Sequence, residues 1–332
     1  MPPRTALRLL APTRRFIRFR LYSTDTPAGK EPLIYVTNLP APNSGHIRIL
    51  ELNRPAARNA ISKALLSALR AEIDDVQAQY TVEGDEVPTP PSSISTGVPS
   101  TGPTRALIVA SAVDASFCAG ADLKERRGFT QEETATFLSN LRSTFTSLSA
   151  LPIPTISAIS SLALGGGLEL ALSTHFRVLA SCATVGLPET RLGIIPGAGG
   201  TFRLPALIGM PRARDLILTG RRVSAPEAYF LGIADRLVEV LPDEEEGSDS
   251  GIEGADEALP TRARRAALAE AVRLAGEICE GGPIAVRAGL QAVSWAREEV
   301  ENAMYQRVVK SEDRNEALEA FREKRKPVFK GR

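Results

Sequence analysis

Three stretches of the chain put carboxylates or backbone N–H groups where they could do chemistry. "LALGGGLEL" (162–170) sets three glycines and a carboxylate, Glu169, inside an apolar run. Such a run reads as a buried strand turning into a helix at the glycines. The first N–H groups of a helix have no internal acceptor and carry partial positive charge. Without a Cβ in the way, a reactant can approach that backbone closely. The corner therefore suits an oxygen that becomes negative during a reaction, with Glu169 one turn inside. "FCAGADLKER" (117–126) repeats the logic: a strand, a small-residue corner, then a helix. Its Ala121 N–H offers a second donor, and Lys124 and Arg126 supply positive charge suited to phosphates. "VGLPETRLGIIPGAGGT" (185–201) places Glu189 after Pro188 at a strand end, followed by another glycine-rich turn. Each stretch also has a plainer reading: close packing at the glycines, an acid favoured by a helix dipole, a solvated cationic face, a loop glutamate.

Positioning these groups requires strands that end side by side, and the chain supplies an alternation that can do so. "HIRILEL" (46–52), "RALIVAS" (105–111) and "TISAISSLAL" (155–164) read as strands, the last two as buried ones. Residues 62–80 space Leu65, Leu69, Ile73, Val76 and Tyr80 three or four apart, which predicts an amphipathic helix, and 131–148 also read as helical. "RPAARNAIS" between them reads as a loop. Repeated strand–helix alternation argues for an α/β fold. Two stretches interrupt it. Residues 84–103 hold five prolines among Ser, Thr and Gly and read as a disordered insertion. Residues 242–257 hold eight acidic residues and read as a solvated loop. Beyond it, 261–323 read as almost continuously helical.

Composition narrows the chemistry. The 332-residue chain carries three cysteines without paired spacing and only two histidines, His46 and His175, neither in a motif. Disulfide frameworks and zinc sites are not suggested, so carboxylates are the expected acid–base groups. The formal net charge of +1 conceals six arginines in residues 1–22, without which it falls to −5. An Arg-rich, acid-free, amphipathic start has the pattern of a mitochondrial transit peptide. No run approaches the roughly 20 apolar residues of a membrane span.

Taken in order, "SFCAGADLKER", "LALGGGLELAL" and "LPETRLGIIPGAGGTFRLP", with Glu169 and Glu189 twenty residues apart, resemble the enoyl-CoA hydratase/isomerase (crotonase) superfamily. The resemblance runs from about Leu33 to the end, insertions aside. With the terminal "AFREKRKPVFKG", the wording is most similar to the mitochondrial methylglutaconyl-CoA hydratases. It implies a crotonase-like spiral of ββα units over residues 33–220 and a C-terminal helical region, 221–332, that builds trimers or dimers of trimers. It also implies an oxyanion hole from the Ala121 and Gly166 N–H groups, with Glu169 and Glu189 as the two hydratase acids. Ala121, Asp122, Leu123 and Lys124 would line the CoA site with Gly166, and Phe321 and Lys324 would reach the CoA nucleotide, often in a neighbouring subunit.

The implied reaction is addition of water to a 2-enoyl-CoA in the mitochondrial matrix. Its expected substrate is 3-methylglutaconyl-CoA, an intermediate of leucine breakdown, with a generic short-chain enoyl-CoA as the alternative. No cofactor is implied beyond the CoA of the substrate. Retention of both acids favours hydration over isomerisation. A distal carboxylate on the acyl group would want a cation, for which Arg126 and Arg127 are candidates. Some relatives of this branch bind AU-rich RNA through a lysine-rich first helix. Here that helix offers only Lys63 and Arg70 against Glu72, Asp74 and Asp75, too little for a clustered basic face, so RNA is not an expected partner.

Overall fold

In this computed structural model the described residues are 31–88, 102–241 and 258–332. The leader expected at 1–22, most of the first insertion and all of the second lie outside them. In chain order the elements begin with β1 (Ile34–Pro40), β2 (His46–Leu52), α1 (Lys63–Gln77), β3 (Thr104–Ser111), β4 (Ser116–Cys118), α2 (Leu123–Arg126) and α3 (Gln131–Ser149). Next come β5 (Thr155–Ile159), β6 (Leu162–Leu164), α4 (Gly166–Leu172), β7 (Phe176–Ala180), β8 (Thr184–Gly186) and a 3-10 turn at Glu189–Leu192. They are followed by α5 (Gly200–Ile208), α6 (Met210–Thr219), β9 (Arg222–Ser224), α7 (Ala225–Leu231) and β10 (Arg236–Val238). The chain closes with α8 (Leu259–Cys279), α9 (Pro283–Trp295), α10 (Glu298–Val309) and α11 (Glu312–Glu323).

The strands form two sheets, β1-β2-β3-β5-β7-β10 and β4-β6-β8-β9. Three times in succession the chain lays a strand in the large sheet (β3, β5, β7), the next in the small sheet (β4, β6, β8), and then turns helical. That repeat is the ββα spiral. Within the large sheet only β1 runs antiparallel, and within the small sheet only β9 does.

Side-chain alternation along β3 explains why the large sheet is buried on both faces. Leu107 and Val109 enter the main core with Leu65, Leu69 and Ile73 of α1 and Phe137, Leu141 and Phe145 of α3. Ala106, Ile108 and Ala110 face the other way, into a second core beneath α8. There α8 presents Ala263, Ala267, Ala271 and Ala275 at four-residue spacing, small enough for close contact with the sheet. Burying each large aliphatic chain here is worth about 1.5–3 kcal/mol. Helix starts are capped as their sequences dictate. The Ser62 hydroxyl accepts from Leu65 N in α1, and Thr130 with Glu133 forms a capping box on α3.

The structure differs from expectation at two boundaries. The sheets do not end at residue 220: β9 and β10 each add an edge strand, and α8 belongs to the core. Strands of three residues are too short to print a period of two. The flanks of the first insertion are ordered as well. Tyr80 bridges to Glu86, whose carboxylate pairs with Arg105 and Arg287, while Asp85 pairs with Arg307. Acids written among prolines thus tie residues 84–88 to β3, α9 and α10, which leaves 89–101 as the part outside the described residues.

Candidate active site

β4, β6 and β8 are parallel neighbours in the small sheet, so all three end on the same edge. "CAGAD" leaves β4, "GGG" leaves β6, and Glu189 follows β8. A small parallel sheet therefore gathers the three stretches at its carboxyl end, the edge where open α/β sheets bind ligands.

The first two corners touch. Gly120 has φ +93°, and a Cβ there would lie 2.7 Å from Leu164 O and 3.3 Å from Gly166 N. A Cβ on Gly166 would stand 3.5 Å from Ala121 N. Among the described residues the Ala121 N–H meets no backbone carbonyl, and Gly166, first in α4, has no acceptor inside its helix. Two N–H donors thus sit side by side at the mouths of two corners. Gly167 serves a different need: a Cβ would fall 2.1 Å from Cys118 O, so only glycine lets α4 close onto β4.

The loop before α1 braces the Ala121 corner. Ile61 N–H donates to Gly120 O, Asp122 N–H to Ile61 O, and Ala119 N–H to Arg58 O. Asn59, fully buried at φ 55°, accepts from Arg54 N and donates to Ser111 Oγ at 2.9 Å and Phe117 O at 3.0 Å. The sequence marks this stretch only as a loop, and the signal of its bracing role is an Asn, a residue that tolerates the left-handed region.

The two glutamates have different surroundings. Glu169 is buried on the first turn of α4, and its Oε1 accepts Ala198 N–H at 2.7 Å and Gly200 N–H at 2.9 Å. Burial raises its pKa, and those two N–H groups with Arg203 and Arg142 pull against the rise. Glu189 opens the 3-10 turn, and its Oε2 is buried with no partner among the described residues. Its Oε1 lies 3.1 Å from where a Cβ on Gly165 would stand, so the bare Cα at φ +55° leaves room for this carboxyl. Burial pushes it up to about 7, against its own backbone N–H, and the nearby Glu169 charge adds to the push. Burial thus raises both carboxyls, but only Glu169 receives backbone N–H bonds from a neighbouring loop in return.

Other expected residues fall in varied places. The Asp122 side chain points inward: Oδ1 accepts from Lys124 N and Glu125 N, and Oδ2 pairs with Arg54 at 2.7 Å. It caps and braces, and any part in lining a substrate site falls to its backbone. Leu123 and Lys124 are exposed beside it. Arg126 lies over the Phe137 ring at 5.9 Å, and Arg127 ends α2. Phe321 on α11 is 87% exposed, and Lys324 closes that helix at φ 56°. Among the described residues no hydrogen bond or ion pair joins these two to the glutamates. His46 and His175 lie apart from the site, bonded to Gly102 O and Thr155, and burial lowers His175 to about 4.

Comparison with known proteins places the whole chain among relatives. Residues 101–332 match the enoyl-CoA hydratase/isomerase family. Methylglutaconyl-CoA hydratase 1, mitochondrial, of Pyricularia oryzae is 66% identical over 99% of this chain and 97% of its own length. The mitochondrial methylglutaconyl-CoA hydratase of Mus musculus is 37% identical, over 94% of this chain and 87% of its own. The crystal structure of an enoyl-CoA hydratase from Bacillus anthracis superposes with a TM-score of 0.72 at 36% identity, covering 91% of this chain and all of that one. With the ββα spiral, paired N–H corners and two carboxyls all in place, the chain belongs to the enoyl-CoA hydratase/isomerase (crotonase) family.

Proposed function

We propose that this chain hydrates 3-methylglutaconyl-CoA to 3-hydroxy-3-methylglutaryl-CoA, with the reaction carried by Glu169, Glu189 and the N–H groups of Ala121 and Gly166. The thioester oxygen sits between those two N–H groups and gains negative charge as water attacks C3. Stabilising that oxygen is worth about 10²–10³ in rate per donor. Glu169, anionic and fixed through Oε1, orients the water and takes its proton as the hydroxyl bonds to C3. Glu189, protonated near neutral pH, gives its proton to C2. The proton gained at Glu169 replaces the one lost at Glu189, so the net change is one water added across the double bond. The unpartnered, buried Oε2 of Glu189 is the observation that carries this reading, because an acid that must deliver a proton cannot be spent on a structural bond.

CoA is held, in this proposal, by the Ala121–Lys124 segment and Gly166. Phe321 and Lys324 act on the nucleotide of a neighbouring subunit's substrate in a trimer or dimer of trimers, which accounts for an aromatic ring left in solvent. The protein works in the mitochondrion, as the names of its relatives indicate for those proteins, and within it in the matrix, where the proposed substrate would be met. Against the RNA-binding alternative, Lys63 on α1 pairs with Glu133 and Arg70 with Asp74. The choice of acyl group rests on the 66% identity to a relative of that name. Turnover on 3-methylglutaconyl-CoA against crotonyl-CoA tests it. A kcat/KM preference of roughly tenfold or more for the branched acid is expected, and equal or reversed values would make this a general short-chain hydratase.

A further inference from the structure

Glu169 does not hold its place alone. The peptide joining Gly197 and Ala198 is gripped at both ends: its C=O accepts from Arg142 Nε at 2.6 Å, and its N–H donates to Glu169 Oε1 at 2.7 Å. The following carbonyl, Ala198 O, accepts Arg203 Nη1 at 2.9 Å. Gly199 O then accepts the Arg203 backbone N–H, and Gly200 N–H returns to the same Glu169 oxygen. Of these three consecutive peptides, the first two give their carbonyls to guanidinium groups, and the first and third give their N–H groups to one carboxylate oxygen. Gly199 makes this possible: at φ +116°, a Cβ there would fall 1.9 Å from Arg203 Nη1. Arg203 is steadied in turn by the Phe202 ring, 4.8 Å from its guanidinium carbon, and by Ser149 Oγ at 3.4 Å.

We propose that Arg142 and Arg203 are positioning residues that keep Glu169 an anion with its Oε1 fixed, by gripping the carbonyls of the loop whose N–H groups hold that oxygen. Arg142, at the carbonyl of the Gly197–Ala198 peptide, polarises that unit and strengthens its N–H as a donor to Glu169, while Arg203 fixes the next carbonyl, Ala198 O, and with it the turn that presents Gly200 N–H. The charged groups facing Glu169 are Arg142 from α3, Arg203 from α5 and Glu189 from the 3-10 turn. Both arginines favour its carboxylate form, and burial opposes them. Both N–H groups converge on Oε1, so Oε2 is not spent on them and is left for water. Glu189 lies outside the grip, and the loop thereby decides which carboxyl starts as base.

The inference rests on the hydratase reading above, and its test separates the two. In a 2-enoyl-CoA absorbance assay, Arg142→Gln is expected to move the acid limb of the kcat–pH profile up by about one unit, which approaches a tenfold loss well below the limb's midpoint and vanishes on the plateau above it. KM should stay within about twofold, and Arg142→Lys, which keeps a charged donor, should recover most of the loss. Arg203→Lys should behave as a milder version. If it does not fold, the Arg142 pair decides the matter, because that side chain lies at the surface. An acid limb unmoved in Arg142→Gln, or Arg142→Lys as impaired as Arg142→Gln, overturns the proposal. Full activity of both Glu169→Gln and Glu189→Gln would instead overturn the two-carboxylate reading itself. Dead glutamate variants with an unmoved limb in Arg142→Gln sink only this inference.

Discussion

Glu169 and Glu189 occupy neighbouring strand ends of one small sheet, yet one is held from several sides and the other is left alone. The first receives two N–H bonds on one oxygen, and the loop that donates them is tied to two arginines. The second keeps a buried oxygen without a partner and faces its neighbour's negative charge. Burial alone raises both. What separates them is how much the protein returns to each as hydrogen bonds and favourable charge, and this is the difference on which the proposed acid and base roles rest.

The largest test of that contrast removes either member. Glu189→Gln and Glu169→Gln should each lower kcat by about 10²–10⁴, with acyl-CoA binding retained. The double variant should be little worse than either single one, because the two work as a unit. Additive losses in turnover assays would mean that the carboxyls act independently. Next in size, Ala121→Pro deletes one oxyanion donor, and kcat should fall about 10²–10³ with KM nearly constant. A rise in KM alone would show that this N–H binds ground state and transition state equally.

Stability sharpens the same contrast in the opposite direction. A folded-state pKa of about 7 against an ordinary unfolded value of 4.5 means that the folded chain keeps a proton the unfolded chain has lost between those pH values. The stability this supplies is complete below about pH 4.5 and is lost as pH rises through about 7. Glu189→Gln, neutral throughout, should therefore be more stable than the parent at pH 8 by about 2–3 kcal/mol, several degrees in melting temperature, and no more stable at pH 4. An equal gain at both pH values would assign the effect to packing.

Much of this contrast was legible in the residues, and the part that was not has a physical reason. Glycines mark corners because few other residues can take positive φ or approach a carbonyl so closely, and Gly120, Gly165 and Gly167 each meet at least one of those conditions. Carboxyls in apolar runs stand out because burying them is costly. The arginine grip left no such trace. Arg142 looks like any exposed helix cation, and its partner is a carbonyl 55 residues away whose orientation only the folded loop sets. Arg203 follows the glycines closely, but nothing local says that it turns back onto Ala198. Likewise β9 and β10, three residues each, take their strand character from the sheets they join.

The smallest expected effect concerns the brace behind Ala121. Asp122 has one oxygen on the N–H groups of Lys124 and Glu125 and the other on Arg54, which links the cap of α2 to the loop that supports the oxyanion corner. Asp122→Asn keeps an acceptor for the cap and loses only the ion pair. Stability should fall by about 1 kcal/mol and kcat by less than about threefold. Asp122→Ala loses cap and pair together, and should cost about 2 kcal/mol and up to about tenfold in kcat as the Ala121 N–H loosens. Melting curves and turnover on the two variants separate the roles. If Asp122→Ala melts early but turns over normally, the brace serves the fold alone, and the precision of the N–H pair comes from the packing of Gly120 and Gly167 between strand and helix.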